Sequence, residues 1–389
     1  MTLPHSSVDS LYVHVPFCSR KCEYCAFYSE PTRGADMTRY VSCLEVELEK
    51  RALRFGKGTV FFGGGTPSLL PTSEWQRLLE KMQALDLLGA REWTIECNPA
   101  TVSLEKARLW REFGINRISM GVQSLHEALL DRLGRVHSRE MVFRSFETLR
   151  QAGFDNINVD LMFAIPGQTM EIWKATLHEA ISLGSEHLSS YEVTFEEDTP
   201  LYDQMMAGEI DVNEELACEM YEALIDLSGQ AGFTQYEVSN FARGLWDETE
   251  ALPSRACRHN VNYWRGGFWH GLGPSASGYM DGTRTRNWAS TQLYCALIEQ
   301  GQDAVENRES LPAKARAGEI AAIGLRMNEG WDFQRFKDVT GLELREEWAE
   351  DIASLERDHL GERDESGFRL TRRGLRFADL AAERFIRSS

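Results

Sequence analysis

The sequence predicts an α/β protein: an incomplete TIM-type barrel of six strand–helix units, followed by a smaller α+β domain. Three observations predict it. Short apolar runs alternate with helix-length segments six times between Leu11 and Val193, a pattern that builds a parallel sheet with helices outside. The residues able to do chemistry fall at the ends of those runs, where barrels of this kind gather their sites. Past about residue 232 the pattern changes, with aromatics and glycines dense from Gly232 to Trp288 and helical segments from Pro312 onward. The expected division is therefore 1–231 for the barrel and 232–389 for the second domain.

The elements follow in order. Leu11-Tyr12-Val13-His14-Val15 reads as the first strand, ended by Pro16. Met37 to Arg54 has helical spacing. Thr59-Val60-Phe61-Phe62 is the second strand, and Gly63-Gly64-Gly65-Thr66-Pro67 breaks it. Pro71-Thr72-Ser73 opens a helix to about Leu87. Strands Trp93–Glu96, Arg117–Met120, Asn156–Asp160 and His187–Val193 then alternate with helices Ser103–Phe113, Ser138–Gln151 and Thr169–Leu183. The tail from Gly367 to Leu375 reads as a strand turning into a closing helix, similar to the wing and last helix of a winged-helix fold. A small packing domain without nucleic acid fits the same pattern, and the charge favours it.

With 389 residues, 42% hydrophobic and 26% charged, the chain has the composition of a soluble globular protein with room for two domains. No apolar stretch reaches membrane-spanning length, and Met1 to Ser10 lacks a signal-peptide pattern. Eight cysteines without a secretory signal point to the cytoplasm, where thiols stay reduced. The 42 basic and 60 acidic residues give a net charge of −18, which disfavours a nucleic-acid partner.

Three cysteines fall within eight residues, as Cys18-x3-Cys22-x2-Cys25, on the loop after the first strand. Thiolates that close can wrap a metal centre. Three are one short of the four that normally hold an iron–sulfur cluster, which leaves one iron open. A zinc site would need a second ligand pair, and none is visible. Cys43, Cys97, Cys218, Cys257 and Cys295 are scattered and read as small buried residues. The spacing resembles the radical S-adenosylmethionine (SAM) superfamily, whose [4Fe-4S] cluster chelates SAM through its open iron.

Further motifs narrow the resemblance. Tyr12-Val13-His14, Gly63 to Pro67, Ser119-Met120-Gly121-Val122-Gln123 and Asp160-Leu161 with Pro166-Gly167-Gln168-Thr169 are similar to the oxygen-independent coproporphyrinogen III oxidase family. The likeness runs from about Leu11 to Leu201 and more loosely beyond. It implies that Tyr12, Gly64, Gly65, Thr66, Glu96, Gln123, Arg135 and Asp160 line the SAM region, with Tyr24 stacking on the adenine. Read alone, Tyr12 is a core aromatic and Glu96 a solvated strand end.

Two departures separate the chain from the oxidase proper. Cys25 is followed by Ala26-Phe27 rather than Gly-Cys, and only ten residues precede Leu11. Both point to the heme-chaperone branch of the family, as does His259-Asn260-Val261-Asn262-Tyr263-Trp264, which fits that branch's heme-binding motif. The resemblance thus implies heme as ligand and heme-requiring apo-proteins as partners, with His259 on the iron and Tyr263 and Trp264 against the macrocycle. It leaves peripheral membrane association and a homodimer open, and an oxidase or another radical SAM enzyme acting on a tetrapyrrole as the alternative. A lone buried histidine is also an ordinary core residue. Ser277 stands where relatives carry a histidine, with His270 nearby.

Overall fold

The computed structural model describes residues 8–51 and 55–386. Six strands, β1 (Val8–Val15), β2 (Phe55–Gly64), β3 (Glu92–Cys97), β4 (Arg117–Gln123), β5 (Ile157–Phe163) and β6 (His187–Glu192), lie side by side in chain order, each pair parallel. They are the six predicted strands, each a little longer or shorter than expected. The last three residues of the expected first helix, 52–54, lie outside the described residues. The helices of the repeat are α1 (Met37–Arg51), α2 (Thr72–Ala84), α3 (Leu104–Glu112), α4 (Arg139–Gln151), α5 (Met170–Ser182) and α6 (Glu214–Gln230). Ser103, Ser138 and Thr169 cap three of them, each side chain accepting a backbone N–H of the first turn, a contribution of about 1 kcal/mol each.

Side-chain alternation along the strands decides what faces what. Leu11, Val13 and Val15 of β1, Val60 and Phe62 of β2, and Trp93 and Ile95 of β3 all join one core with the helices. That core also buries Trp75, Trp110 and Trp173 completely. The intervening residues form a polar face. Thr59 donates to Ser10, Arg117 to Thr94, and Ser119 to Asp160, while Asn158 bridges Ser119, Asp160, His187 and Ser189. The helices of the repeat cover the opposite side, so the upper part of this second face can carry chemistry.

The sheet continues past residue 231. Strand β9 (His270–Leu272) adds to the free edge of β1 in parallel, and the hairpin β7 (Thr234–Glu237) and β8 (Asn240–Ala242) adds antiparallel to β6. Helix α7 (Arg258–Trp264) packs beneath the polar face. Residues 277–310 form a three-stranded antiparallel sheet. A second core around Trp331, Phe336, Trp348 and Phe385 organises residues 317–385. There the antiparallel pairing of Gly367–Leu370 with Gly361–Arg363 and Trp331–Asp332 makes the small winged-helix-like sheet. This unit meets the barrel through ion pairs, Arg326 with Glu237 and Arg372 with Glu222 and Asp226. No helix among the described residues is long and apolar enough to cross a membrane.

Candidate cluster and cofactor site

Pro16 ends β1, and the chain then runs Phe17–Cys18 alongside Glu30–Pro31 in a short parallel pairing. Between those segments the loop carries Cys22 and Cys25, and all three thiols are free and half-buried. The loop is tied down from two sides: Glu23 N–H donates to Leu133 O at 3.1 Å, and Leu201 N–H donates to Glu23 O at 3.0 Å. Among the described residues no three His, Cys, Asp or Glu side chains are gathered tightly enough for a single metal ion.

Each sulfur has a donor. Thr66 Oγ1 lies 3.6 Å from Cys18 Sγ, and Arg135 Nη1 lies 3.5 Å from Cys22 Sγ. The Phe27 N–H acts on Cys25. Arg135 is fixed by a 2.6 Å bond from Nη2 to Gly121 O, while its buried Nε has no partner. A guanidinium aimed at thiols, with one arm still unsatisfied, suits an anionic group between them. Burial pushes the free Cys18 and Cys25 thiols up, so thiolates there need a cationic centre to stabilise them. The donor set fits an iron–sulfur cluster.

The glycine run closes against this loop. Gly64 has φ +105, and a Cβ there would stand 2.6 Å from the His14 ring. A Cβ on Gly65 would meet Pro16 C and Phe17 O at 2.8 Å. Only glycine lets the second strand end lie this close to the first. Gly64 N–H then donates to Glu96 Oε2 at 3.2 Å. Burial first, and the Asp160 charge second, push the Glu96 carboxyl up to about 8. Asp160 is also raised by burial, although Ser119 and Asn158 donate to it at 3.0 and 2.7 Å. Gln123 ends β4 at φ 64, at a register shift in the β4–β5 pairing. Its Nε2 turns back over Gly121. Gly64, Gly65, Thr66, Glu96, Gln123, Arg135 and Asp160 thus come together at one end of the sheet beside the cysteines.

Tyr12 lies on the same face, its hydroxyl 3.1 Å from His14 Nδ1 and its ring stacked on Phe61. Tyr24 instead packs into a small apolar cluster over the strand ends, with Leu129, Leu133, Met162 and Ile165. Four participants escaped the reading of the sequence as site residues. His14 holds Tyr12 and accepts no role from the cysteine spacing, yet its place two residues after Tyr12 puts it on the same face. Ser119 and Asn158 hold Asp160, and only strand alternation could have signalled them. Tyr191, next to last in β6, lies on this face and is 41% exposed.

The segment 258–264 departs from expectation. It was expected to lie apart from the barrel, but α7 plugs the lower half of the polar face. His259 is buried: Nδ1 lies 2.7 Å from Thr59 Oγ1, Nε2 lies 2.6 Å from the Tyr263 hydroxyl, and the ring stacks on Phe61 at 5.0 Å. Glu92 anchors the helix start, accepting Arg258 N–H at 2.9 Å and His259 N–H at 3.0 Å. Tyr263 and Trp264 do not share a face. Tyr263 turns to His259 and Trp269, whereas Trp264 turns to Tyr236, Leu252 and Met327 with Arg326 over its ring. Neighbours on a helix point about 100° apart, which is why adjacent aromatics cannot both flank one macrocycle here. Cys257 is buried beside Glu92, and burial pushes its thiol up to about 12.

The sequence model of the radical SAM superfamily matches residues 12–180, and that of the HemN C-terminal domain matches residues 311–377. The heme chaperone HemW of Lactococcus lactis is 32% identical over 97% of both chains. The chain belongs to the HemW family. Heme chaperone HemW of Bacillus subtilis is 33% identical over 94% of this chain and 96% of its own. HemW of Escherichia coli is 36% identical over 69% of each. Among solved structures, the E. coli coproporphyrinogen III oxidase HemN, a radical SAM enzyme, superposes with a TM-score of 0.82 at 23% identity, covering 98% of this chain and 90% of its own. The HemW-family chain therefore has the radical SAM fold with a HemN-type C-terminal unit. The superfamily implies a [4Fe-4S] cluster and SAM as its cofactors.

Proposed function

We propose that this chain is a heme chaperone: it holds one [4Fe-4S] cluster on Cys18, Cys22 and Cys25, binds SAM, and carries heme to heme-requiring apo-proteins in the cytoplasm. The observation that carries the reading is a near end-to-end likeness to relatives named heme chaperones, in a chain whose three free thiols share one loop.

A cluster with one open iron supplies the electron for SAM chemistry when both are bound. The chain's own residues do the holding. Thr66 and Arg135 face the sulfurs. Gly64 and Gly65 bring backbone groups close to any ligand above β2, and Glu96, Gln123 and Asp160 offer hydrogen-bonding groups on the neighbouring strand ends. Tyr12 is the aromatic wall of that site, and Tyr24 packs behind the cysteine loop. Heme is assigned to the 258–264 segment and its surroundings.

The test is a heme titration of anaerobically reconstituted protein, run beside a coproporphyrinogen III turnover assay. About four irons per chain, saturable heme binding and no decarboxylation are expected. Sustained multiple-turnover decarboxylation would replace the chaperone reading with the oxidase. Sedimentation velocity and vesicle flotation of the heme-loaded protein test the homodimer and membrane association.

A further inference from the structure

We propose that Tyr28 latches the cysteine loop to the C-terminal half of the chain and thereby sets how readily the cluster is lost. The inference rests on the reading of Cys18, Cys22 and Cys25 as cluster ligands and concerns a residue outside every motif above.

The two halves of the loop are held differently. The outgoing half is pinned through Glu23, between Leu133 and Leu201. The ladder resumes at Glu30, whose N–H donates to Pro16 O at 2.8 Å, and Thr32 N–H then donates to Cys18 O at 3.0 Å. Between Cys25 and Glu30 the chain runs out toward solvent, with Ala26 exposed and Phe27 69% exposed. Tyr28 brings it back, through one backbone contact and one side-chain contact.

The backbone contact is to the barrel. Tyr28 O lies 2.9 Å from His14 Nε2. A carbonyl oxygen only accepts, so Nε2 carries the proton. Burial pulls the His14 pKa down to about 4, so the ring is neutral at pH 7. Its Nδ1 is then the acceptor of the Tyr12 hydroxyl at 3.1 Å.

The side-chain contact is to helix α8 (Thr291–Glu299), 263 positions later in the chain. The first N–H groups of a helix have no carbonyl one turn back to donate to. Thr291 N–H donates instead to the Tyr28 hydroxyl at 2.8 Å, with Thr291 Oγ1 at 3.2 Å and Glu30 Oε2 at 3.5 Å from the same oxygen. Thr291 is buried. Helix α8 is in turn seated on α1: Arg39 holds Glu299 with two bonds of 2.7 and 2.8 Å, and Tyr294 donates to Glu47 at 2.8 Å. The C-terminal half thus grips the loop three residues past Cys25.

A chelator reaches the irons when the loop lifts, and lifting the return half breaks the Tyr28 contacts. The population of such local openings follows the free energy of the contacts they break. Tyr28 touches no iron and is a positioning residue in this sense.

The experiment compares wild type, Tyr28→Phe, Thr291→Pro and the double variant after anaerobic reconstitution. Proline suits the first position of a helix, and Ser290 before it is already extended at φ −155 and ψ 112. Thr291→Pro therefore removes the donor and keeps the helix, while Tyr28→Phe removes the acceptor and keeps the ring. Iron and sulfide are counted first, and low iron in the wild type overturns the cluster reading and this proposal with it. The remaining outcomes bear on the latch alone. The rate of iron release to an excess of a coloured ferrous chelator is then followed by absorbance. Both single variants should start from wild-type iron and release it roughly 2–10-fold faster, the factor that one hydrogen bond is worth. The double variant should be no faster than Tyr28→Phe, because both changes remove the same contact. Cluster-free Thr291→Pro should melt as the wild type does, since it leaves no N–H unpaired. A wild-type release rate in fully loaded Tyr28→Phe would overturn the proposal. Multiplying effects in the double variant would also overturn it, since the two residues would then act apart. So would a lowered melting temperature of Thr291→Pro that matches its faster release, which would mark the contact as one of general stability.

Discussion

Glu96 Oε2 accepts the backbone N–H of Gly64 across two strand ends, at 3.2 Å. Burial, and then the nearby Asp160, push this carboxyl from 4.5 up to about 8. A folded pKa above the unfolded one means the folded chain keeps a proton that the unfolded chain loses. That stabilisation is complete below about pH 4.5 and is lost as pH rises through about 8. Glu96→Gln keeps the shape and removes the titration. Its melting temperature should match wild type at pH 4 and exceed it at pH 9, by scanning calorimetry. A difference that does not change between those pH values would show that Glu96 ionises normally in the folded chain.

The cluster assignment predicts a contrast among cysteines. Cys18→Ala, Cys22→Ala and Cys25→Ala should each lower reconstituted iron well below the wild-type content. Cys257→Ala should leave it unchanged, because that thiol is buried against Glu92 far down the strand and burial pushes it up to about 12. A metal ligand must be a thiolate. Iron analysis decides it, and equal losses in Cys25→Ala and Cys257→Ala would remove the assignment.

Glu92 is predicted to be the anchor of α7. It takes two backbone N–H groups at the helix start, where a negative charge also meets the helix dipole. Glu92→Ala leaves both donors buried without that acceptor, a loss of about 2–4 kcal/mol. Glu92→Gln keeps an acceptor oxygen and should cost less than half of that. Denaturant midpoints measure the difference, and equal stability of the two variants would mean the carboxylate carries no capping role.

Much of this was legible in the sequence, for a physical reason. Strand identity rests on local spacing, so all six parallel strands and the caps at Ser103, Ser138 and Thr169 could be read directly. The cysteine loop and the glycine run are also local. What stayed hidden depends on pairing across the chain. That β9 joins the edge of β1 needs Leu11 to sit opposite His270, 259 positions later in the chain. The position of α7 under the polar face depends on Glu92, which nothing in 258–264 announces.

The same burial shapes the heme prediction at His259. Thr59 Oγ1 donates to Ser10 Oγ at 2.9 Å. Its lone pair is then what Nδ1–H meets at 2.7 Å, which leaves Nε2 as acceptor of the Tyr263 hydroxyl at 2.6 Å. This is the tautomer an iron-binding imidazole needs, with Nδ1 held and Nε2 carrying the lone pair. Iron must displace Tyr263 to reach it. Tyr263→Phe removes the competitor, and with it a hydrogen bond worth about 0.5–1.5 kcal/mol, so heme should bind roughly 2–10-fold tighter. His259→Ala should lower affinity and change the heme absorbance. Burial, and then Arg117, pull the His259 pKa down to about 3, so the ring is neutral above that pH. Heme affinity through His259 should therefore stay flat from pH 5 to 8, where an ordinary histidine near 6.5 would gain affinity as it loses its proton. Unchanged affinity in Tyr263→Phe together with a step near pH 6.5 would move the ligand to a different, solvent-facing histidine.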